Sequence, residues 1–500
     1  MNTEIQSVIQ TAKVSPQAIE TWLRDPIQGT EYPQRHIFTS LQKYVKDFYT
    51  FGYEPRMLGL AGLRGVGKTT LMWQLAKYTY HNLTANIYSF NVNALSSLGY
   101  SIYEVLETLQ NEVLQTRFRE YDKPIVFLFD EVHDDENWAK TLKILYDECR
   151  TAFVIATGSS ALLINQTADL AARMKIEKIY PFEFTEFVNV KSLLDKKYQY
   201  NHPVSEEKYD RLFPPEDMAN ELKQGLFFSE NYQDLANYVK NHIINSQEFN
   251  NYFSEMELAC KKNLFDVVKD YVIYYNIPRY SLYQNVDDIN ASILELVKRI
   301  VYEDVARINS DYRGTDYEKL LYRLSASDEI NLEKLSGLLG IPKKNIEDML
   351  HYLNQSELIN MISPYSHSID ARIVKNKKSF FMSPSIRRAL LTSIYGVNIP
   401  DSAQSKMWED IIMMYLTRVV GKSFISFCAN EQGVNPDFVI DTRDCPVILE
   451  VGTNKSFTRQ IASCKYPKRY GIIVNAMTKE PLFHDENEIL TLPLSWFLML

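Results

Sequence analysis

Gly62-Leu-Arg-Gly-Val-Gly67-Lys68-Thr69-Thr70 decides how the first part of this 500-residue chain folds. The stretch fits the pattern G-x-x-x-x-G-K-[ST]. Met57-Leu-Gly-Leu-Ala61 before it is a short apolar run, and Leu71-Met-Trp-Gln-Leu-Ala-Lys77 after it has the spacing of an amphipathic helix. Strand, glycine-rich loop and helix are the context the motif requires. Glycines at 62, 65 and 67 allow a tight turn whose N–H groups converge on phosphate oxygens at a helix N-terminus. The candidate binding set is the whole loop: Gly62, Leu63, Arg64, Gly65, Val66, Gly67, Lys68, Thr69 and Thr70. Lys68 has the reach for the β- and γ-phosphates of ATP, and the Thr69 hydroxyl for Mg²⁺. The competing reading is a glycine-rich turn with a solvated lysine.

A second segment favours the first reading. Pro124-Ile-Val-Phe-Leu-Phe129 is a continuous apolar run, as expected of a strand buried on both faces of a parallel sheet. It ends in Asp130-Glu131. An acid at such a strand tip is suited to hold Mg²⁺, and the next carboxylate to take a proton from water. Asp130 is therefore a candidate metal holder and Glu131 a candidate base, which together predict hydrolysis as well as binding. Ala152-Phe-Val-Ile-Ala156 predicts a third strand, ending in Thr157-Gly-Ser159-Ser160. Hydroxyls there suit either a contact to the γ-phosphate or lytic water, or an ordinary turn or helix cap.

The combination GLRGVGKTT, PIVFLFDEVH, VIATGSSALLI, LAARM and YPFEFTEF resembles the AAA+-type ATPases of archaea and bacteria. In that family the ATPase core precedes a winged helix and a domain like PD-(D/E)XK restriction nucleases. The resemblance implies that Thr157 or Ser159 acts as the sensor after the third strand. It also implies that Arg173 sits where a γ-phosphate or intersubunit arginine is expected, and that the protein is a homo-oligomer. The expected fold class is α/β: a doubly wound parallel-sheet core, a helical region, a winged helix and a small nuclease-like C-terminal domain.

Composition sets bounds. A chain of this length exceeds one hydrophobic core, so about two to four domains are expected. With 45% hydrophobic and 23% charged residues it has a globular composition, and its formal charge of −9 argues against a broadly basic nucleic-acid coat. Cys149, Cys260, Cys428, Cys445 and Cys464 are scattered, with no CxxC pair and no histidine at zinc spacing, which predicts reduced thiols and no structural zinc. The N-terminus lacks a basic region and an apolar core, so no signal peptide is expected. No apolar run approaches the ~20 residues that span a bilayer. The expected location is cytoplasmic, without membrane association.

The predicted domains are 1–190, the ATPase core with N-terminal helices around the Asp25–Pro33 loop; 191–320, helical; 321–398, a winged helix; and 399–500, nuclease-like. Tyr274-Tyr-Asn-Ile-Pro278 resembles a Gly-Gly-x-Pro turn of the family with both glycines absent, so the turn is expected to be rearranged. In the winged helix, Leu332–Leu339 and Asn345–Leu358 read as helices, and Ile359–Ser363 and Ile369–Met382 as wing strands. Arg372, Lys375, Lys377 and Lys378 on the wing, with Lys343 and Lys344, offer DNA or RNA contacts. The acids Glu347, Asp348 and Glu357 on the second helix oppose that, leaving domain docking as the other reading.

In the C-terminal segment, Asp437 begins one predicted strand and Glu450 lies near the end of the next. This order resembles the PD-(D/E)XK core, in which clustered carboxylates bind Mg²⁺ and a lysine two residues beyond the Glu assists water. Glu409 on the preceding helix is the candidate third carboxylate. The lysine position holds Gly452, with Lys455 three residues later, so a domain that cleaves poorly or not at all is expected. Two functions compete: a Mg²⁺-dependent ATPase coupled to nucleic-acid handling or defence against foreign genetic elements, and an ATP-gated signalling or scaffolding protein that recruits a protein partner.

Overall fold

The computed structural model describes residues 3–159, 170, 172–195, 216–259, 263–309, 311–327, 329–366, 368, 376–429, 435–453, 458–464 and 466–500. They divide into two compact units, Met1–Tyr180 with Gln355–Glu357, and Pro181–Asn354 with Leu358–Leu500.

In the first unit three helices, α1 (Thr3–Ala12), α2 (Pro16–Leu23) and α3 (Ile37–Phe51), precede strand β1 (Met57–Ala61) and helix α4 (Lys68–Asn82). There follow β2 (Ile87–Asn91), α5 (Val92–Ser97), α6 (Ile102–Thr108), β3 (Ile125–Asp130), α7 (Trp138–Glu148), β4 (Ala152–Gly158) and β5 (Lys175–Lys178). The strands form one parallel sheet in the order β2-β3-β4-β1-β5. Side chains of β3 alternate between its two faces. Ile125, Phe127 and Phe129 join a core with Ile5 and Ile9 of α1, Ile102 and Val105 of α6, and Leu142 and Leu145 of α7. Toward the strand starts, the α3 residue Tyr49 donates its hydroxyl to Ile125 O at 2.8 Å, and Phe48 packs on Phe153. Each fully buried Phe contributes about 1.5–3 kcal/mol.

Helix α4 has the sequence pattern of an amphipathic helix, yet it is buried on most sides, from Leu71 through Ala76. The N-terminal segment explains this. Trp22 of α2 stacks on Trp73 with ring centroids 5.5 Å apart. Buried Gln74 donates its amide to Tyr32 O and Pro33 O, both at 3.2 Å.

The second unit opens with helix Phe184–Leu194 and further helices up to Gly314–Ala326. At the altered turn, Asn276 stands in place of a glycine. Its carbonyl accepts the Phe182 N–H at 2.9 Å, and its side-chain amide donates to Phe182 O at 3.2 Å. The side-chain amide thus supplies a bond that a glycine cannot make.

Next come β6 (Glu329–Ile330), helices Leu332–Leu339 and Lys343–Gln355, β7 (Ile359–Ile362) and β8 (Lys377–Phe381), then helix Pro384–Tyr395. The strands pair antiparallel in the order β6-β8-β7. Gly340, at φ 69°, ends the first helix in the left-handed conformation.

Helix Asp401–Val419 leads into a six-stranded mixed sheet. Its strands are β9 (Ile425–Ser426), β10 (Phe438–Ile440), β11 (Val447–Gly452), β12 (Tyr470–Asn475), β13 (Leu482–His484) and β14 (Ile489–Pro493). Their order is β13-β14-β12-β11-β10-β9, with β11, β12 and β14 parallel. The short helix Arg459–Ala462 crosses between β11 and β12. No helix among the described residues is long and apolar enough to cross a membrane.

Candidate functional site

The sheet order sets the site. Strand β4 lies between β1 and β3, so the segments that follow these three strands meet at one edge. Loop 62–67 leaves β1 and closes onto the N-terminus of α4, where Gly67 adopts φ 91°. A Cβ at Gly62 would lie 2.3 Å from Ile179 O, a distance no side chain tolerates. Ile179 N–H donates to Ala61 O at 2.7 Å and holds that close approach.

Lys68 is buried, and its ammonium donates to Gly62 O at 2.8 Å and Leu63 O at 3.2 Å. Arg35 braces the loop from outside, its guanidinium donating to Val66 O at 2.8 Å and Tyr180 O at 3.0 Å. Its place in a polar N-terminal loop carried no motif, so sequence reasoning missed it.

Thr69 donates its hydroxyl to the Asp130 carboxylate, 3.1 Å from Oδ1 and 3.0 Å from Oδ2. Thr157 donates to Asp130 Oδ1 and accepts the Glu131 N–H at 3.0 Å. Its one proton is committed to Asp130, so Thr157 positions both acids. Ser159 is different. Its Oγ is buried with no hydrogen-bond partner among the described residues, and it is the hydroxyl still open to a water or phosphate oxygen.

Loss of solvent pushes the Asp130 carboxyl above its usual range, and the Glu131 charge adds to this while the Thr157 and Thr69 hydroxyls oppose it. Glu131 sits at φ 56°, a left-handed conformation rare outside glycine, at the tip of β3. Its Oε2 lies 3.3 Å from Nε2 of buried His133. Sequence reasoning also passed over His133; the signal available was its place two residues beyond the glutamate.

The structure does not bring Arg173 to this edge. It precedes β5, whose Lys175 is in register with Leu58 near the start of β1, whereas the phosphate loop leaves the far end. Its Nε pairs with Asp147 at 3.1 Å near the end of α7, and its guanidinium lies over the Tyr146 ring. Contact with this chain's own γ-phosphate is thereby corrected: an existing carboxylate holds the arginine at the opposite end of the sheet.

In the C-terminal sheet, Asp437 and Glu450 face each other across β10 and β11. Asp437 N–H donates to Glu450 Oε2 at 3.2 Å, and Val451 N–H donates to Asp437 Oδ2 at 2.8 Å. Both side chains are buried. Among the described residues, carboxylate oxygens of Glu409, Asp437 and Glu450 do not all come within 4.8 Å of one another, so the expected trio is corrected to a pair. Glu409 is half-buried, and it is its neighbour Asp410 that turns fully inward, to Arg387.

Gly452 ends β11 opposite Asn475. Lys455 lies outside the described residues, as do Arg372 and Lys375 of the expected wing. Of the remaining basic candidates, Lys343 pairs with Glu333 at 2.6 Å, and Lys378 lies over the Phe427 ring.

Residues 54–188 match the AAA domain family, and residues 270–394 match a domain of unknown function, DUF8612. With the sheet order and the loop, the first match makes the first unit a P-loop ATPase fold. Over 499 residues the chain is 26% identical to an uncharacterized protein of Methanocaldococcus jannaschii, covering 95% of this chain and 94% of that protein. An uncharacterized protein of Haemophilus influenzae is 29% identical over 41% of this chain and 54% of its own length.

Similar solved structures include the Aeropyrum pernix Orc1 protein in complex with DNA, at 11% identity and TM-score 0.29, covering 73% of this chain and 94% of that one. The Thermotoga maritima RuvB Holliday junction branch migration motor follows at 15% identity and TM-score 0.27, covering 68% and 93%. Scores this low carry no functional inference.

Proposed function

We propose that the first unit binds ATP with Mg²⁺ and hydrolyses it, and that the second unit couples this cycle to nucleic acid. The observation that carries the proposal is the junction of Thr69, Asp130 and Thr157 beside the Lys68 loop. A hydroxyl and a carboxylate aimed at one point are hard oxygen donors, and the raised Asp130 carboxyl would be relieved by a cation; the residues fit Mg²⁺. Thr69 and Asp130 would hold the ion, which when bound neutralises phosphate charge. Lys68 exchanges its loop carbonyls for phosphate oxygens. Glu131 accepts a proton from the attacking water at a carboxylate oxygen, with Thr157 fixing its backbone and Ser159 free to orient the water. In this reading, the role expected of Arg173 is filled in trans, from another copy of the chain in a homo-oligomer.

Lys68→Ala is expected to weaken ATP binding by roughly 10²–10⁴-fold, since two charge-assisted bonds of about 1.5–3 kcal/mol each are lost. Calorimetric titration with a non-hydrolysable ATP analogue measures this, and unchanged affinity would remove the phosphate-loop assignment.

The β6–β8 segment, read as a winged helix, and the last sheet, read as a PD-(D/E)XK-like fold, are the proposed DNA or RNA contacts. A second reading, an ATP-gated scaffold that recruits a protein partner, draws support from Gly452 at the lysine position. ATPase rates with and without duplex DNA, single-stranded DNA and RNA separate the two. Stimulation by nucleic acid supports coupling, and stimulation by a protein partner alone supports the scaffold. Incubation of the same nucleic acids with Mg²⁺ or Mn²⁺ is expected to give cleavage about 10²–10³-fold below that of a lysine-bearing site, reflecting the missing cation. Robust cutting abolished by Asp437→Ala would overturn that expectation.

A further inference from the structure

One face of the last sheet carries a small apolar cluster of Tyr365, Cys428, Val439, Ile448, Ile461, Ile473 and Ile489, with Cys464 and Tyr466 packed against it. Cys428 follows β9 and is buried; Cys464 follows helix Arg459–Ala462 and is half-buried. Their sulfurs are 3.8 Å apart, although 36 positions separate them in the chain. The approach is held from both sides. Tyr365 N–H donates to Phe427 O at 2.8 Å beside Cys428, and Cys464 N–H donates to Ile461 O at 3.2 Å. The Tyr466 ring meets that of Tyr365 edge-on, with centroids 5.1 Å apart. A disulfide needs about 2.0 Å between the sulfurs, so a closure of about 1.8 Å separates the pair from a bond.

We propose that Cys428 and Cys464 form a modification site, a dithiol closed to an internal disulfide by exchange with a small-molecule disulfide such as oxidised glutathione. Cys464 is the attacking group, because it is the more exposed of the two. The neighbouring Cys428 sulfur holds the Cys464 thiol below its usual range, against the effect of burial, while the same pairing and burial push Cys428 up.

The Cys464 thiolate attacks one glutathione sulfur and expels a glutathione thiolate, leaving a mixed disulfide. Cys428 then gives up its proton and attacks Cys464 Sγ, expelling the second glutathione thiolate. The two thiols lose two electrons and two protons in all, and the glutathione disulfide is reduced to two thiols. The new bond closes a loop containing both β10 and β11, and therefore both Asp437 and Glu450. It tethers the end of the β9 edge to the helix that follows β11.

The full chain, purified reduced and then held in oxidised glutathione, tests this. Alkylation under denaturing conditions should find free thiols falling from the five cysteines of the sequence to three. Non-reducing peptide mapping should join the peptides of Cys428 and Cys464, and the melting transition of the second unit should rise by roughly 5 °C or more, reversed by dithiothreitol. Cys428→Ser should stop at glutathione on Cys464, and Cys464→Ser should abolish both the link and the shift. Arrest at the mixed disulfide in the parent chain, or a bond from either residue to Cys445, overturns the proposal.

Discussion

Replacing Glu131 by Gln is expected to leave ATP bound while turnover falls by about 10²–10⁴-fold, the usual contribution of a positioned proton acceptor. The substitution is well isolated. The clamp on residue 131 runs from its backbone N–H to Thr157 Oγ1, so an amide side chain leaves it in place. Gln has the same length and branching, so the φ of 56° costs it no more than it costs Glu. An amide oxygen still reaches His133, but it cannot take a proton from water at neutral pH. ATP affinity by titration, measured beside single-turnover hydrolysis, separates binding from chemistry. A variant that hydrolyses at the parental rate places the base elsewhere. Thr157→Val makes the complementary test, because it releases Asp130 and Glu131 together and should impair both Mg²⁺-dependent binding and turnover.

Much of the first unit was legible because its decisive features are local. A phosphate loop between an apolar strand and a helix, and an Asp-Glu pair ending a continuous apolar run, are contiguous in sequence, and a parallel sheet brings such strand ends together. Features built from distant partners were not legible. Arg35 acts on carbonyls of Val66 and Tyr180, which no spacing in the chain announces. Strand β5, Lys175-Ile-Glu-Lys178, is a short, partly exposed edge whose charges mask its pattern. Thr157 and Ser159 looked equivalent as strand-tip hydroxyls. Only the fold shows that one is committed to Asp130 and the other is buried without a described partner. Arg173 followed the family pattern in sequence, but its position was settled by Asp147 on a neighbouring helix. The same limit applies to Glu409 and Asp410. Adjacent acids on a helix point about 100° apart, and which of them meets a partner depends on residues elsewhere.

Asp410→Ala is expected to destabilise the second unit by about 3–5 kcal/mol, lowering its melting temperature by roughly 10 °C. Asp410 and Arg387 are both 0% exposed. Arg387 donates Nε to Asp410 Oδ2 at 2.6 Å and Nη2 to Oδ1 at 2.8 Å, and Phe381 N–H donates to Oδ1 at 2.8 Å. The remaining guanidinium nitrogen donates to Leu324 O and Ser325 O, carbonyls near the end of helix Gly314–Ala326. Burial pushes the Asp410 carboxyl up, against the pull of Arg387 and the Phe381 N–H. One ion pair thus joins helices Gly314–Ala326, Pro384–Tyr395 and Asp401–Val419 with the end of β8. Removing the carboxylate leaves a buried guanidinium with two bonds broken and no route to water. The loss should exceed the worth of the pair itself, because desolvation of both ions already offsets much of their attraction. That distinction is measurable. The double variant Arg387→Met with Asp410→Leu, which removes both charges, should recover part of the stability lost in Asp410→Ala. Chemical denaturation of the parent and the two variants orders their stabilities, and a double variant no more stable than Asp410→Ala would show that the stranded guanidinium is not the source of the loss.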